Sequence, residues 1–163
     1  MDGRASVRTA TLADSHTETT EILMPDDTNN LGRALGGSVL HWMDICGAIA
    51  ARRFSQRQIV TASMDHVDFL APIELGEVVA TEAYVFETGE SSMEVKVDVF
   101  AERPSDDDRH ETATSFFTFV ALNGDENPAA VPDLRCPTDE QERLRRAALE
   151  ERAQRRAELA EKM

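Results

Sequence analysis

The chain has 163 residues, 41% of them hydrophobic, and a formal charge of −14. This length suits one domain with its own core, and the hydrophobic share excludes a wholly disordered chain. The acidic balance disfavours nucleic acid as a partner, and no apolar run reaches the roughly 18 residues of a membrane span.

Three further features bear on compartment. Cys46 and Cys136 stand alone, without disulfide or metal spacing. Met1-Asp2-Gly3-Arg4 carries no apolar signal core. A reducing cytoplasm is therefore expected. Lysine is almost absent, Lys96 and Lys162 against fifteen arginines. Such a surface suits a salt-rich, halophilic cytoplasm, where screening weakens self-repulsion; a high-GC genome would favour arginine as well.

In chain order, residues 1–15 read as a loose polar tail. Thr17 to Met24 reads as a strand, stopped at Pro25-Asp26-Asp27. A glycine-rich turn holds Asn29, Asn30, Gly32, Gly36 and Gly37. Then comes an apolar helix to about Phe54, with Ser38 as its expected N-cap. At about 100° per residue this helix has two faces. Val39, Trp42, Met43, Cys46, Ala50 and Phe54 form the core side. Gly37, His41, Asp44, Ala48 and Ala51 form a small, polar side. Asp44 needs a reason there, because burying an unpartnered carboxylate costs several kcal/mol or raises its pKa. It either serves a ligand, lies exposed, or is satisfied by a neighbouring amide.

Strands are expected over Ile59 to Phe69, Glu77 to Glu87, Ser92 to Glu102 and Thr112 to Leu122. The third alternates best: Met93, Val95, Val97 and Val99 against Glu94, Lys96 and Asp98, a half-buried antiparallel strand. Pro104 to Asp108 reads as an acidic loop. Pro128, Pro132 and Pro137 mark a linker. Thr138-Asp139-Glu140-Gln141 reads as a capping box opening a charged, solvated helix to Met163. The organisation is thus a tail (1–15), one domain (16–126), and a linker with a C-terminal helix (127–163). The fold class is α+β, one helix wrapped by a curled antiparallel sheet.

No phosphate-binding loop, dinucleotide fingerprint or serine elbow is present. His41 and Asp44 lack a third metal ligand at suitable spacing. Asp65, His66 and Asp68 lie on a strand, where successive side chains alternate faces. No metal site is expected. What remains is a helix N-terminus with free N–H groups at Gly36 and Gly37, which can stabilise an oxyanion, and a carboxylate that can activate water. Gly37 and Asp44 stand about 10 Å apart along the helix at 1.5 Å per residue. One carbonyl cannot easily touch both, so the spacing suggests a dimer with composite sites.

The run Asp27-Thr28-Asn29-Asn30-Leu31-Gly32-Arg33-Ala34-Leu35-Gly36-Gly37, then Met43-Asp44 and Gly47-Ala48-Ile49-Ala50-Ala51, resembles the hotdog-fold acyl-CoA thioesterases, most closely the YciA-like and brain-type cytosolic group. Ile59-Val60-Thr61-Ala62-Ser63-Met64-Asp65, Ser91-Ser92-Met93-Glu94-Val95 and Thr114-Ser115-Phe116-Phe117-Thr118-Phe119-Val120 continue the resemblance. It implies a hotdog fold, acyl-CoA hydrolysis and assembly as dimers and trimers of dimers. It places Asn29 and Asp44 at the catalytic positions, on opposing subunits, with Asp44 as base or nucleophile. Gly36, Gly37, Ser91 and Ser92 are candidate oxyanion or substrate contacts. Coenzyme A is substrate and product, and no separate cofactor is implied. His41-Trp42 is bulkier than in many relatives and would reshape the acyl tunnel. Arg52, Arg53, Arg57, Lys96, Arg103 and Arg109 are candidate partners for the nucleotide of coenzyme A. A hydratase or dehydratase using His41 with Asp44, and a non-catalytic acyl-CoA binder, are the alternative functions.

Overall fold

In a computed structural model, which describes residues 8–105 and 107–162, the apolar helix α2 (Gly36–Ser55) packs along the inner face of a six-stranded sheet. The sheet strands are β2 (Thr17–Ile22), β3 (Gln58–Met64), β4 (Asp68–Phe69), β5 (Val78–Thr88), β6 (Ser92–Glu102) and β7 (His110–Leu122). Their order is β2-β5-β6-β7-β3, with β4 also on β7, and all pairs are antiparallel. The single-helix, curled-sheet architecture expected from the sequence is the one observed.

Alternation explains the core. Met93, Val95, Val97 and Val99 of β6 face α2, together with Phe117 and Phe119 of β7. From the helix, Val39, Trp42, Met43, Cys46, Ala50 and Phe54 enter the same core. Ala51 joins them fully buried, although helical periodicity assigns it to the polar side; the sheet curls far enough to reach it. Burial pushes the Cys46 thiol up to about 11, so it packs as a protonated, inert group. At Gly47 the helix comes closest to the sheet: a Cβ there would lie 3.0 Å from the Phe119 ring and 3.4 Å from Val97.

The ends of the chain depart from expectation. Residues 9–15 are not a loose tail. They form β1 (Thr9–Thr11) and the short helix α1 (Leu12–Ser15), capped reciprocally by Thr11 and Asp14; residues 1–7 lie outside the described residues. Leu12 is buried, and the Ser15 hydroxyl accepts from the Val85 N–H at 2.9 Å. The linker contains β8 (Asp133–Arg135), which pairs in parallel with β1. The segment Ile59 to Phe69 divides into β3 and β4 around Asp65-His66-Val67. The expected loop after β6 includes Asp106, outside the described residues.

The C-terminal helix α3 (Asp139–Glu161) is not simply solvated. Ala148 packs with Leu12, Tyr84, Phe86 and Phe116 on the outer face of the sheet. Buried Arg152 reaches Glu94 at 2.8 Å, and Glu151 reaches Lys96 at 3.1 Å. β6 is therefore covered on both faces. Only half of the Thr138 capping box forms: Thr138 accepts from the Gln141 N–H, while the Gln141 side-chain Oε1 accepts from the Ala13 N–H and ties α3 to α1.

Close approach at Gly47 leads to a direct expectation. Gly47→Leu should cost about 1–3 kcal/mol through overpacking against Phe119. Thermal or denaturant unfolding of the variant would read that loss, and unchanged stability would mean the helix can move off the sheet freely.

Candidate active site

The loop before α2 is built around Asn29. Its side-chain Oδ1 accepts from the Leu31 N–H at 2.9 Å and the Arg33 N–H at 3.2 Å. Its backbone pairs with Arg33 and Gly32, and Gly32 takes a φ of 73°, which favours glycine. With Oδ1 facing two donors, the amide orientation is fixed and the Nδ2 group remains as donor.

At the start of α2, Leu35 is the N-cap and supplies no side-chain cap. Ser38, expected as the cap, donates instead to Asp27 Oδ1 at 2.9 Å. The first helical bond runs from Val39 N–H to Leu35 O. The N–H groups of Gly36, Gly37 and Ser38 precede it and have no intrahelical acceptor. Asn29, Gly36 and Val39 border a cleft of about 420 Å³ whose far wall runs from Phe69 to Ile73 and whose floor includes Thr112 and Ala113. The cleft thus combines apolar walls with polar donors at one end, the usual make-up of a small-molecule site.

Asp44 is not among the residues bordering that cleft. It is half-buried further along α2, and its Oδ1 accepts from the Thr61 hydroxyl at 2.8 Å. The donor is thus a hydroxyl on β3, neither water alone nor an amide. Register on β7 shifts between Thr61 and Ser63, a bulge that re-aims the strand at this point. β3 lies at the end of the strand order. Ile45, Val60 and Met64 beside this pair are 43%, 46% and 44% exposed.

The other predicted residues separate clearly. Ser91 and Ser92 lie at the β5–β6 turn, where Ser92 pairs with Val120, and β3 begins opposite Leu122 nearby. This is the end of the sheet near the C-terminus of α2, so one chain does not bring them to Asn29, Gly36 and Gly37. His41 is exposed, borders no part of the cleft and makes no hydrogen bond to Asp44 among the described residues. Trp42 is buried in the core, as expected. Arg53, Lys96, Arg103 and Arg109 are engaged with Thr17, Asp98, Glu77 and Glu18 respectively. Among the described residues, Arg52 and Arg57 make no side-chain ion pair and line one groove with Ile49 and Gln58. Thr61 is the site residue that the sequence reading did not single out. Its signal was present in the quoted run Ile59 to Asp65, but a bulge cannot be read from composition.

The strand order, the single wrapped helix and the cleft at its N-terminus define a hotdog-type thioesterase fold. Residues 31–106 match the thioesterase superfamily. The chain is 42% identical over 131 residues to YkhA of Bacillus subtilis, named as an uncharacterized acyl-CoA thioester hydrolase, covering 80% of this chain and 76% of that one. An acyl-CoA hydrolase from Staphylococcus aureus, solved in complex with butyryl coenzyme A, coenzyme A and coenzyme A disulfide, is 31% identical with a TM-score of 0.82, covering 94% of this chain and 93% of that one. A hexameric acyl-CoA thioesterase solved without ligand is 34% identical with a TM-score of 0.83, covering 94% of this chain and 99% of that one. The chain belongs to the thioesterase superfamily, within its acyl-CoA thioester hydrolases. The Staphylococcus aureus protein has also been solved with an asparagine, an aspartate and a threonine each replaced by alanine; their order and spacing equal those of Asn29, Asp44 and Thr61 here.

A hydrogen bond to a charged group contributes about 1.5–3 kcal/mol. Thr61→Val should therefore lower kcat on an acyl-CoA by roughly tenfold or more through misorienting Asp44, with unfolding temperature near wild type. Undiminished turnover would show that the Thr61 hydroxyl has no part in holding the carboxylate.

Proposed function

We propose that this protein hydrolyses acyl-CoA thioesters to a free carboxylic acid and coenzyme A, by water attack assisted by Asp44. The observation that carries the reading is that one chain holds a fixed carboxylate, a fixed carboxamide and an uncapped helix N-terminus. Thr61 holds one oxygen of Asp44 and leaves the other to take a proton from water. The water oxygen adds to the thioester carbonyl carbon. Asn29 Nδ2 and the N–H groups of Gly36 and Gly37 receive the developing oxyanion. Collapse of that intermediate breaks the C–S bond, and the coenzyme A thiolate leaves and takes up the proton. The chemistry draws on no cofactor, because coenzyme A is itself the leaving group.

The same reading makes the site composite. Asp44 lies outside the Asn29 cleft and about 12 Å from Gly36 along α2, so one chain presents each half to a neighbour. The outer edge of β3, with exposed Val60 and Met64 and with Ile45 of α2 nearby, is suited to pair with a second copy, since an unpaired edge readily adds a strand. A two-fold dimer through this edge places Asp44 of one subunit toward Asn29 and Gly37 of the other, and trimers of such dimers give the proposed hexamer. Ser91 and Ser92 belong to the same proposal, as contacts that only a neighbouring subunit would bring to the site. Of the six candidate cations, Arg52 and Arg57 have no side-chain partner among the described residues and are the ones to meet the phosphates of coenzyme A. The acidic, lysine-poor surface fits a salt-rich cytoplasm, and no helix among the described residues is long and apolar enough to cross a membrane.

General-base assistance contributes roughly 100- to 10,000-fold. Asp44→Ala should lose at least about 100-fold in kcat for release of free thiol from a saturated acyl-CoA, while its unfolding temperature stays near wild type. Turnover at the wild-type rate would remove Asp44 from the mechanism. Hydration of an enoyl-CoA without thiol release from the saturated substrate would favour the hydratase reading, and tight binding with an intact thioester would favour the binder.

A further inference from the structure

The far wall of the cleft belongs neither to α2 nor to the long strands. It is the segment Phe69, Leu70, Ala71, Pro72 and Ile73. Little regular structure holds it. β4 has two residues, pairing Asp68 with Thr114 and Phe69 with Ala113. Beyond it, the Leu70 and Ala71 N–H groups both reach the Thr112 carbonyl, at 2.8 and 3.4 Å. Thr112 itself sits where the β6–β7 register slips.

Side chains supply the remaining hold. In a strand, successive side chains take opposite faces. Phe69 turns toward the N-terminus of α2, its ring 3.7 Å from where a Cβ on Gly36 would stand, and borders the cleft while remaining 55% exposed. Asp68 turns outward and meets α3. Arg155 donates to Asp68 Oδ2 and to the Thr114 carbonyl at 3.4 Å, and its guanidinium lies 5.6 Å over the Phe116 ring. His66 lies 3.1 Å from the other Asp68 oxygen. Nearby, Arg152 and Arg156 approach Asp65 at 3.5 and 3.8 Å. The Arg155 side chain is only 16% exposed, so this pair is less screened than a surface ion pair. A two-residue strand therefore carries an anchor to α3 on one side and a wall of the cleft on the other.

We propose that Arg155 is a positioning residue for substrate: through Asp68 it fixes β4, and so fixes the Phe69 wall that bounds the acyl group. The inference rests on reading the cleft as the acyl-CoA site. Asn29 and Asp44 are held by the loop before α2 and by Thr61, independently of Arg155. Loosening the wall should therefore weaken binding of the acyl chain and leave the reacting groups in place, a change in KM more than in kcat.

The test compares Arg155→Met, Arg155→Lys and Asp68→Asn with wild type. Two readouts are needed: kcat and KM across saturated acyl-CoAs from acetyl to palmitoyl, and amide hydrogen exchange over residues 68–73 against residues 139–161. Arg155→Met and Asp68→Asn should each raise KM for the best substrate by roughly three- to tenfold with kcat within about twofold, flatten the chain-length profile, and speed exchange over residues 68–73. Arg155→Lys should recover part of both effects. If Arg155→Met fails to fold, Asp68→Asn decides alone. Faster exchange confined to α3, with KM and profile unchanged, would mean Arg155 merely anchors the helix and would overturn the proposal. Should the wild type hydrolyse no acyl-CoA, the catalytic reading fails, and exchange over residues 68–73 still decides whether Arg155 holds the wall.

Discussion

The layout of this molecule depends on how closely one helix can lie on a curled sheet. Gly47 sets that distance, because the Phe119 ring occupies the space a side chain would need. Phe119 pairs with Thr61 on the edge strand, and Thr61 holds Asp44, one turn before Gly47. The contact that packs the core thus also brings the carboxylate to its hydroxyl partner. A helix held further out would keep its apolar face but lose this bond.

A second consequence follows at the N-terminus of the same helix. The usual side-chain cap is missing, and Ser38 is occupied with Asp27. Orphan N–H groups at a helix start normally find a cap or water. Here Gly36, the first of them, borders a cleft next to an amide whose oxygen is already committed. An uncapped terminus forgoes about 1 kcal/mol of stability. In the proposed reaction those donors are preorganised for the charge that develops on the thioester oxygen. The two chemical halves stand about two turns apart along one helix, and that separation is the geometric basis of the proposed composite site.

Much of this was legible in the sequence. Strict alternation in Ser92 to Glu102 located β6 to the residue, and helical periodicity found the core face of α2. The asparagine, glycine pair and aspartate were recognisable by type and spacing. Other features were not legible, each for a physical reason. Thr11 and Asp14 form a capping box visible in the sequence, yet a four-residue helix has no periodicity to call attention to it. α3 reads as solvated because its buried side is carried by Ala148, Gln141 and Arg152, not by a stripe of leucines; ion pairs and methylene stems do the packing. Ala51 and Thr61 depend on sheet curvature and on a bulge, which are tertiary properties. The placement of Ser91 and Ser92 away from Asn29 depends on topology, which local pattern does not encode.

The central claim is that one subunit supplies Asn29 and its neighbour supplies Asp44. Its most direct test is complementation between two inactive variants, Asn29→Ala and Asp44→Ala, combined by co-expression or joint refolding and assayed for thiol release from an acyl-CoA. Random pairing makes half of the dimers mixed, each with one intact site, so activity should return to about a quarter of wild type. Mixtures that stay as inactive as the separate variants, despite proven subunit exchange, would contradict the claim and place both groups in a site within a single chain.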